Sequence, residues 1–290
     1  MIVDLIIFVI SIVLLVILTK NIILVNIRRM AVYLKLDSHI VGKILGYSAC
    51  VPEVINVFIA AKVGLFNDSI FNVITSNIIK VVLALLVSIY FYKIKGLFRK
   101  KFVKDYILIF ITVILPFILY YLEIHENIIT ISIVFNVFLL FIIFNKNDRY
   151  FEDEDDEIDK EERLIKFQER KAQLKTRKLN KERKHKLVII FISLFIGVIT
   201  LYILSFVIFM SLSNLANKHS FNHITLGIMM GIFVSVPELI TFISSYLRHK
   251  RVKNYKNDLG VIEVVNNLVT SNVANLCIVH VIAILLVYLR

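Results

Sequence analysis

The chain has 290 residues, 58% of them apolar, with a mean hydropathy of +0.81 and a formal net charge of +12. Soluble domains carry ~45–50% apolar residues, so this composition excludes a soluble globular protein and equally a disordered one. The basic residues cluster between apolar runs, so they read as topology signals rather than a footprint for phosphates, and nucleic acid is not an expected partner. Cys50 and Cys277 both lie in apolar runs and cannot build a disulfide framework. The expected class is an all-α polytopic membrane protein whose first partner is the lipid bilayer.

A helix needs ~20 mostly apolar residues to cross the hydrocarbon core. Such runs occur at about 2–19, 38–61, 70–93, 104–122, 127–144, 187–210, 222–247 and 266–289, which predicts eight transmembrane helices. The first run carries Asp4, has no basic leader and no small-residue cleavage site, and reads as a retained helix. Basic linkers follow the first run (Lys20, Arg28, Arg29, Lys35), the third (Lys93 to Lys104) and the seventh (Arg248 to Lys256). The alternate linkers are poor in Lys and Arg. By the positive-inside rule both termini lie outside, in a multi-pass protein of the cell membrane.

Residues 145–186 break the pattern. An acidic block, Glu152 to Glu157 with Asp159, Glu161 and Glu162, precedes a basic tract from Arg163 to Lys186. The spacing and turn glycine of a calcium-binding EF-hand loop are absent, so the segment reads as a charged cytoplasmic linker. It separates a first membrane domain, 1–144 with five helices, from a second, 187–290 with three.

Spans two and seven each contain Val-Pro-Glu: Val51-Pro52-Glu53 and Val236-Pro237-Glu238. Each is followed by a second shared pattern. Asp68, Asn72, Thr75, Ser76 and Asn77 in the first half answer to Glu263, Asn267, Thr270, Ser271 and Asn272 in the second, with identical internal spacing. Spans two and seven run in opposite directions under the predicted orientation, which is the signature of an inverted-topology repeat with a substrate site near the midplane. Proline frees backbone groups that a membrane tolerates only against protein or water. A carboxylate at that depth costs at least ~2.5–3.5 kcal/mol unless it is paired or protonated. Two such carboxylates offer hard oxygen ligands suited to Ca2+ or Na+.

These paired segments resemble the α-repeats of the cation/Ca2+ exchanger superfamily, over about residues 1–97 and 187–290. The resemblance implies a secondary active antiporter, not an enzyme, exchanging Ca2+ for Na+ or H+ by alternating access and using no cofactor. Carried over by position, the implied ion ligands are Glu53, Ser76, Ser235, Glu238, Ser271 and Asn275.

Four features depart from the family pattern. Cys50 replaces a coordinating serine, and a thiol is a poor ligand for hard cations, so it reads as a small packing residue. Ser48-Ala49 and Phe233-Val234 replace Gly-Thr, which implies altered helix packing at Phe233. Lys80 stands at an Asn/Asp position, where its ammonium either substitutes for a bound Na+ or pairs permanently with a glutamate and silences the site. The eight spans are also fewer than the ten usual in the family. The alternative that these departures leave open is a degenerate, non-transporting homologue, or one completed as a homo-oligomer. His280 reads as structural, and Lys43 as snorkelling to an interface.

Overall fold

The computed structural model describes residues 2–34, 36, 38–63, 66–124, 127–147, 180–218, 222–250 and 258–289. Most of the charged linker, 148–179, lies outside the described residues, as do Arg251, Lys253 and Lys256. All regular structure among the described residues is helical.

Among the described residues, eight segments are long and apolar enough to cross a membrane: Val3–Ala31, His39–Ala60, Ile70–Tyr90, Lys100–Tyr121, Ile128–Asn145, Leu187–Leu215, Ile224–Leu247 and Gly260–Leu286. They overlap the eight expected runs, and the largest displacement is the end of the first span, at Ala31 rather than about residue 19. The first span combines α1 (Ile2–Leu18), a π-helical turn (Thr19–Ile23) and α2 (Leu24–Leu34). No glycine or proline interrupts this stretch, so Lys20, Arg28 and Arg29, expected in a linker, stand on the helix itself.

Spans two and seven are each built from two helices meeting at a one-residue break. α3 (Ser38–Ala49) gives way at Cys50 to α4 (Val51–Val63). α5 is Phe66–Tyr90, α6 is Ile94–Leu97, and α7 (Val103–Tyr121) and α8 (Ile128–Asn147) form spans four and five. α9 (Asn180–Lys218) forms span six. α10 (His223–Val234) gives way at Ser235 to α11 (Val236–Lys250). α12 (Asp258–Ala274), a π-helical turn (Asn275–Val279) and α13 (His280–Tyr288) form span eight. Pro52 and Pro237 are each the second residue of the new helix, where the N–H that proline lacks would have had no partner within that helix.

The halves pack crosswise, at matched positions. On α3, a Cβ added at Gly46 would stand 2.7 Å from the Asn267 carbonyl oxygen, 2.8 Å from Thr270 Cβ and 3.1 Å from the Ser271 nitrogen on α12. On α10, a Cβ at Gly231 would stand 2.8 Å from the Asn72 carbonyl oxygen, 2.7 Å from Thr75 Cβ and 3.0 Å from the Ser76 nitrogen on α5. Asn72, Thr75 and Ser76 are the repeat counterparts of Asn267, Thr270 and Ser271. Each half thus supplies the small residue that the other half's second motif requires, and backbones approach as in small-residue membrane packing. Spans two, three, seven and eight form the inside of the bundle. Spans one and six pack against each other and present Leu5, Ile6, Phe191 and Phe195 outward. Phe233, where a glycine was the family norm, meets Phe8 of α1 edge-on with centroids 4.7 Å apart.

Gly231→Ala places its methyl against backbone that cannot yield, whereas at Gly197 the nearest atom is the mobile end of Ile23. Overpacking of this kind costs about 1–3 kcal/mol. Thermal unfolding in detergent should therefore show a marked fall in midpoint for Gly231→Ala and a smaller one for Gly197→Ala.

Candidate functional site

The two helix breaks put a carboxylate in the first turn of each new helix, Glu53 on α4 and Glu238 on α11. A helix N-terminus carries partial positive charge and unsatisfied N–H groups, which favours an anion there. Both glutamates are fully buried, and both are met by a single cation. Lys80 Nζ, from the middle of α5, lies 2.8 Å from Glu53 Oε1 and 3.1 Å from Glu238 Oε1, and Lys80 is itself fully buried. The cluster carries two negative charges and one positive, for a net of −1. Breaking such a pair leaves an uncompensated buried charge, so the three residues are mutually dependent.

The other expected ligands lie around this cluster, every one of them fully buried. Ser235, at the break before α11, donates from Oγ to the Gly231 carbonyl at 2.7 Å. Cys50, its counterpart before α4, makes the same contact to the Gly46 carbonyl at 3.3 Å, and a second to the Ser271 carbonyl at 3.1 Å. The thiol thus fastens α3 to the opposite half, which fits a packing residue. Ser271 Oγ donates to the Leu268 carbonyl at 3.1 Å. Ser76 stands one helical turn before Lys80 and accepts from Asn275 Nδ2 at 2.6 Å. The Asn275 amide also reaches Asn77 Oδ1 at 3.1 Å. Asn275 opens the π-helical turn of span eight, a local widening often found at functional sites. Its Oδ1 accepts no hydrogen bond among the described residues, and there the carboxylate oxygens of Glu53 and Glu238 meet no side-chain donor besides the Lys80 ammonium. Among the described residues, Lys80 is the cation that pairs with these two carboxylates.

Residues outside the implied ligand set complete the polar interior. Asn77 and Asn272, repeat counterparts, exchange amide-to-carbonyl bonds of 3.5 and 3.4 Å across the two halves. Asn77 also donates to the Thr112 carbonyl of α7 at 3.1 Å. Glu263, expected only as the start of the repeated pattern, is fully buried and 2.7 Å from Arg28. Its equivalence to Asp68 was legible; its partner, on a helix 235 positions away in sequence, was not. Asn56 and Asn72, buried near Glu53 on α4 and on α5, have side-chain atoms without hydrogen-bond partners among the described residues. His280 is buried at the end of the π-helical turn.

Residues 189–290 match the family model described as sodium/calcium exchanger protein. No curated protein and no solved structure matches the chain. The match is consistent with a member of the cation/Ca2+ exchanger superfamily and supports an exchanger-type transporter in general, in a family of transporters rather than enzymes. With the eight apolar helices it points to a multi-pass membrane protein.

Lys80→Met should cost about 3–5 kcal/mol of stability, since it strands two buried carboxylates. Adding Glu53→Gln and Glu238→Gln to the same chain should recover part of that loss, as read by thermal unfolding in detergent. A Lys80→Met protein as stable as wild type would show that the ion pairs do not hold the interior together.

Proposed function

We propose that the chain is a secondary active cation antiporter, exchanging Ca2+ for Na+ or H+ by alternating access at a site between Glu53 and Glu238. The observation that carries this reading is the convergence of two carboxylates, from matched helix breaks in the two halves, on one buried position. The matched breaks and the crosswise glycine contacts support an inverted-topology repeat, the arrangement in which unwound helices frame a midplane ion site. Both termini outside and the 145–186 linker inside remain the orientation that the basic residues favour.

In this reading Lys80 acts as a tethered cation. Its ammonium takes one of the places that a free ion would fill, and the remaining net charge of −1 attracts one more. A Ca2+ ion reaches both carboxylates only by displacing the ammonium from at least one, so occupancy by lysine and by substrate is competitive. Ser76, Ser235, Ser271 and Asn275 would add neutral oxygens once their present hydrogen bonds rearrange. Hard carboxylate and carbonyl-type oxygens suit Ca2+ and Na+, and the site asks for no covalent chemistry.

One observation favours a second reading. Lys80 contacts both glutamates at once with all three residues out of solvent, which also describes a site closed for good. A degenerate homologue with a structural or regulatory role in the membrane would look the same at rest.

Radioactive Ca2+ uptake into proteoliposomes separates the two, run with an outward Na+ gradient, an outward H+ gradient and neither. The expected result is gradient-driven uptake by wild type, abolished in Glu53→Gln. Uptake by Lys80→Asn but not by wild type would assign the lysine as a permanent plug, and silence from both would overturn the antiporter reading for Ca2+.

A further inference from the structure

A second buried ionic cluster lies one to two helical turns from the Glu53–Glu238 site, on the side of the second half. Glu263 on α12 is fully buried, and its Oε1 takes two donors, Arg28 at 2.7 Å and Ser245 Oγ at 2.7 Å. Arg28 belongs to α2, the second part of span one, and its side chain is 15% exposed, so this residue links the cluster to the edge of the bundle while its guanidinium stays largely covered.

The cluster is joined to the ion site by a continuous polar row. Glu238, Thr241 and Ser245 share one face of α11 at i, i+3 and i+7, and Glu263, Asn267 and Ser271 share one face of α12 at i, i+4 and i+8. The two faces bond to each other. Asn267 Nδ2 donates to Thr241 Oγ1 at 2.9 Å and Thr241 Oγ1 to the Glu238 carbonyl at 2.8 Å, while the single hydroxyl proton of Ser245 is shared between Glu263 Oε1 and the Thr241 carbonyl, 2.9 Å away. Asn267 Oδ1 is buried without a hydrogen-bond partner among the described residues. Ser, Thr and Asn side chains commonly bond across helices inside a membrane bundle, but a buried carboxylate among them is rare and marks ion pathways. A file of hydroxyl, amide and carboxylate groups ending at a partly exposed arginine is the chemistry of a cation route. The counterpart row of the first half is not built this way, for Ala60 stands where Ser245 does.

We infer that the Thr241–Ser245–Glu263 row is a cation access route to the Glu53–Glu238 site, and that the Arg28–Glu263 ion pair is the latch that closes it. The inference rests on the transport reading above. Glu263 gives an entering cation an intermediate carboxylate on its way to the deeper pair. While Arg28 holds that carboxylate the place is taken by a fixed positive charge, which also repels any ion at the mouth. Opening requires span one to draw away from span eight. Ser245 keeps a hydroxyl beside the Glu263 carboxylate when the arginine leaves. The same two residues therefore block the route and, once separated, mark it.

The test reads access rather than flux, so it succeeds or fails independently of whether Ca2+ is the substrate. A reporter Thr241→Cys is placed in a chain carrying Cys50→Ala and Cys277→Ala, reconstituted in sealed vesicles and labelled with a membrane-impermeant maleimide from each side in turn. With the latch intact, labelling is slow from both sides. In Arg28→Gln it accelerates at least about tenfold from one side only, in proportion to the added open population. Arg28→Lys, which keeps the charge but not the forked geometry, should lie between the two. If Arg28→Gln does not fold, Ser245→Ala in the reporter chain weakens the hold on Glu263 and should accelerate labelling a few-fold from the same side. Unchanged labelling in every folded variant, or equal acceleration from both sides, overturns the latch. Accelerated labelling in a protein that moves no Ca2+ keeps the latch and removes the transport reading instead.

Discussion

A lysine that has lost all contact with water must find its compensation inside the protein, and Lys80 finds it twice over. Its ammonium is the point at which helices of both halves meet: α5 brings the cation, α4 and α11 bring the carboxylates. Remove the lysine and two anions face each other in a medium of low polarizability; remove both anions and the cation is stranded. The helix breaks at Cys50 and Ser235 serve this meeting directly. They turn two helix N-termini toward the interior, so the dipoles of α4 and α11 lend positive potential to Glu53 and Glu238.

Matched geometry in the two halves coexists with unmatched chemistry. Gly46 and Gly231 press into equivalent places, and Cys50 and Ser235 make equivalent one-turn contacts to those glycines' carbonyls. The third equivalence fails: Lys80 stands where the second half has Asn275, whose amide bonds to Ser76 instead of to a carboxylate. The backbone frame is thus symmetric while its charge is not. An amide at both places would leave two bare glutamates, and an ammonium at both would leave no net charge to draw a cation.

Much of this was legible before any coordinate. Eight apolar runs became eight spans because a bilayer-length helix has one requirement, sustained hydrophobicity, and that is a local property. Glu53, Glu238, Ser76, Ser235, Ser271 and Asn275 could be named because they recur at fixed spacing around Val-Pro-Glu. Lys20, Arg28 and Arg29 read as a linker if charge ends a span, whereas a stretch without glycine or proline continues as helix through them. The Arg28–Glu263 pair was out of reach for a different reason. It is made by a fold that returns to span one only with the last helices, and neither residue carries a local mark of the other.

The crosswise packing also sets the order in which the interior can come together. As the chain leaves the ribosome, α3 and α5 enter the bilayer long before α12 and α10, the helices against which their small faces close. For most of synthesis the first half holds polar side chains in lipid with their final partners not yet made. Glu53 and Lys80 belong to that same half, and the 2.8 Å contact between them neutralises both with no help from the second. Charge balance at Glu53 is thus written within the first half, and only Glu238 depends on a partner made much earlier in the chain.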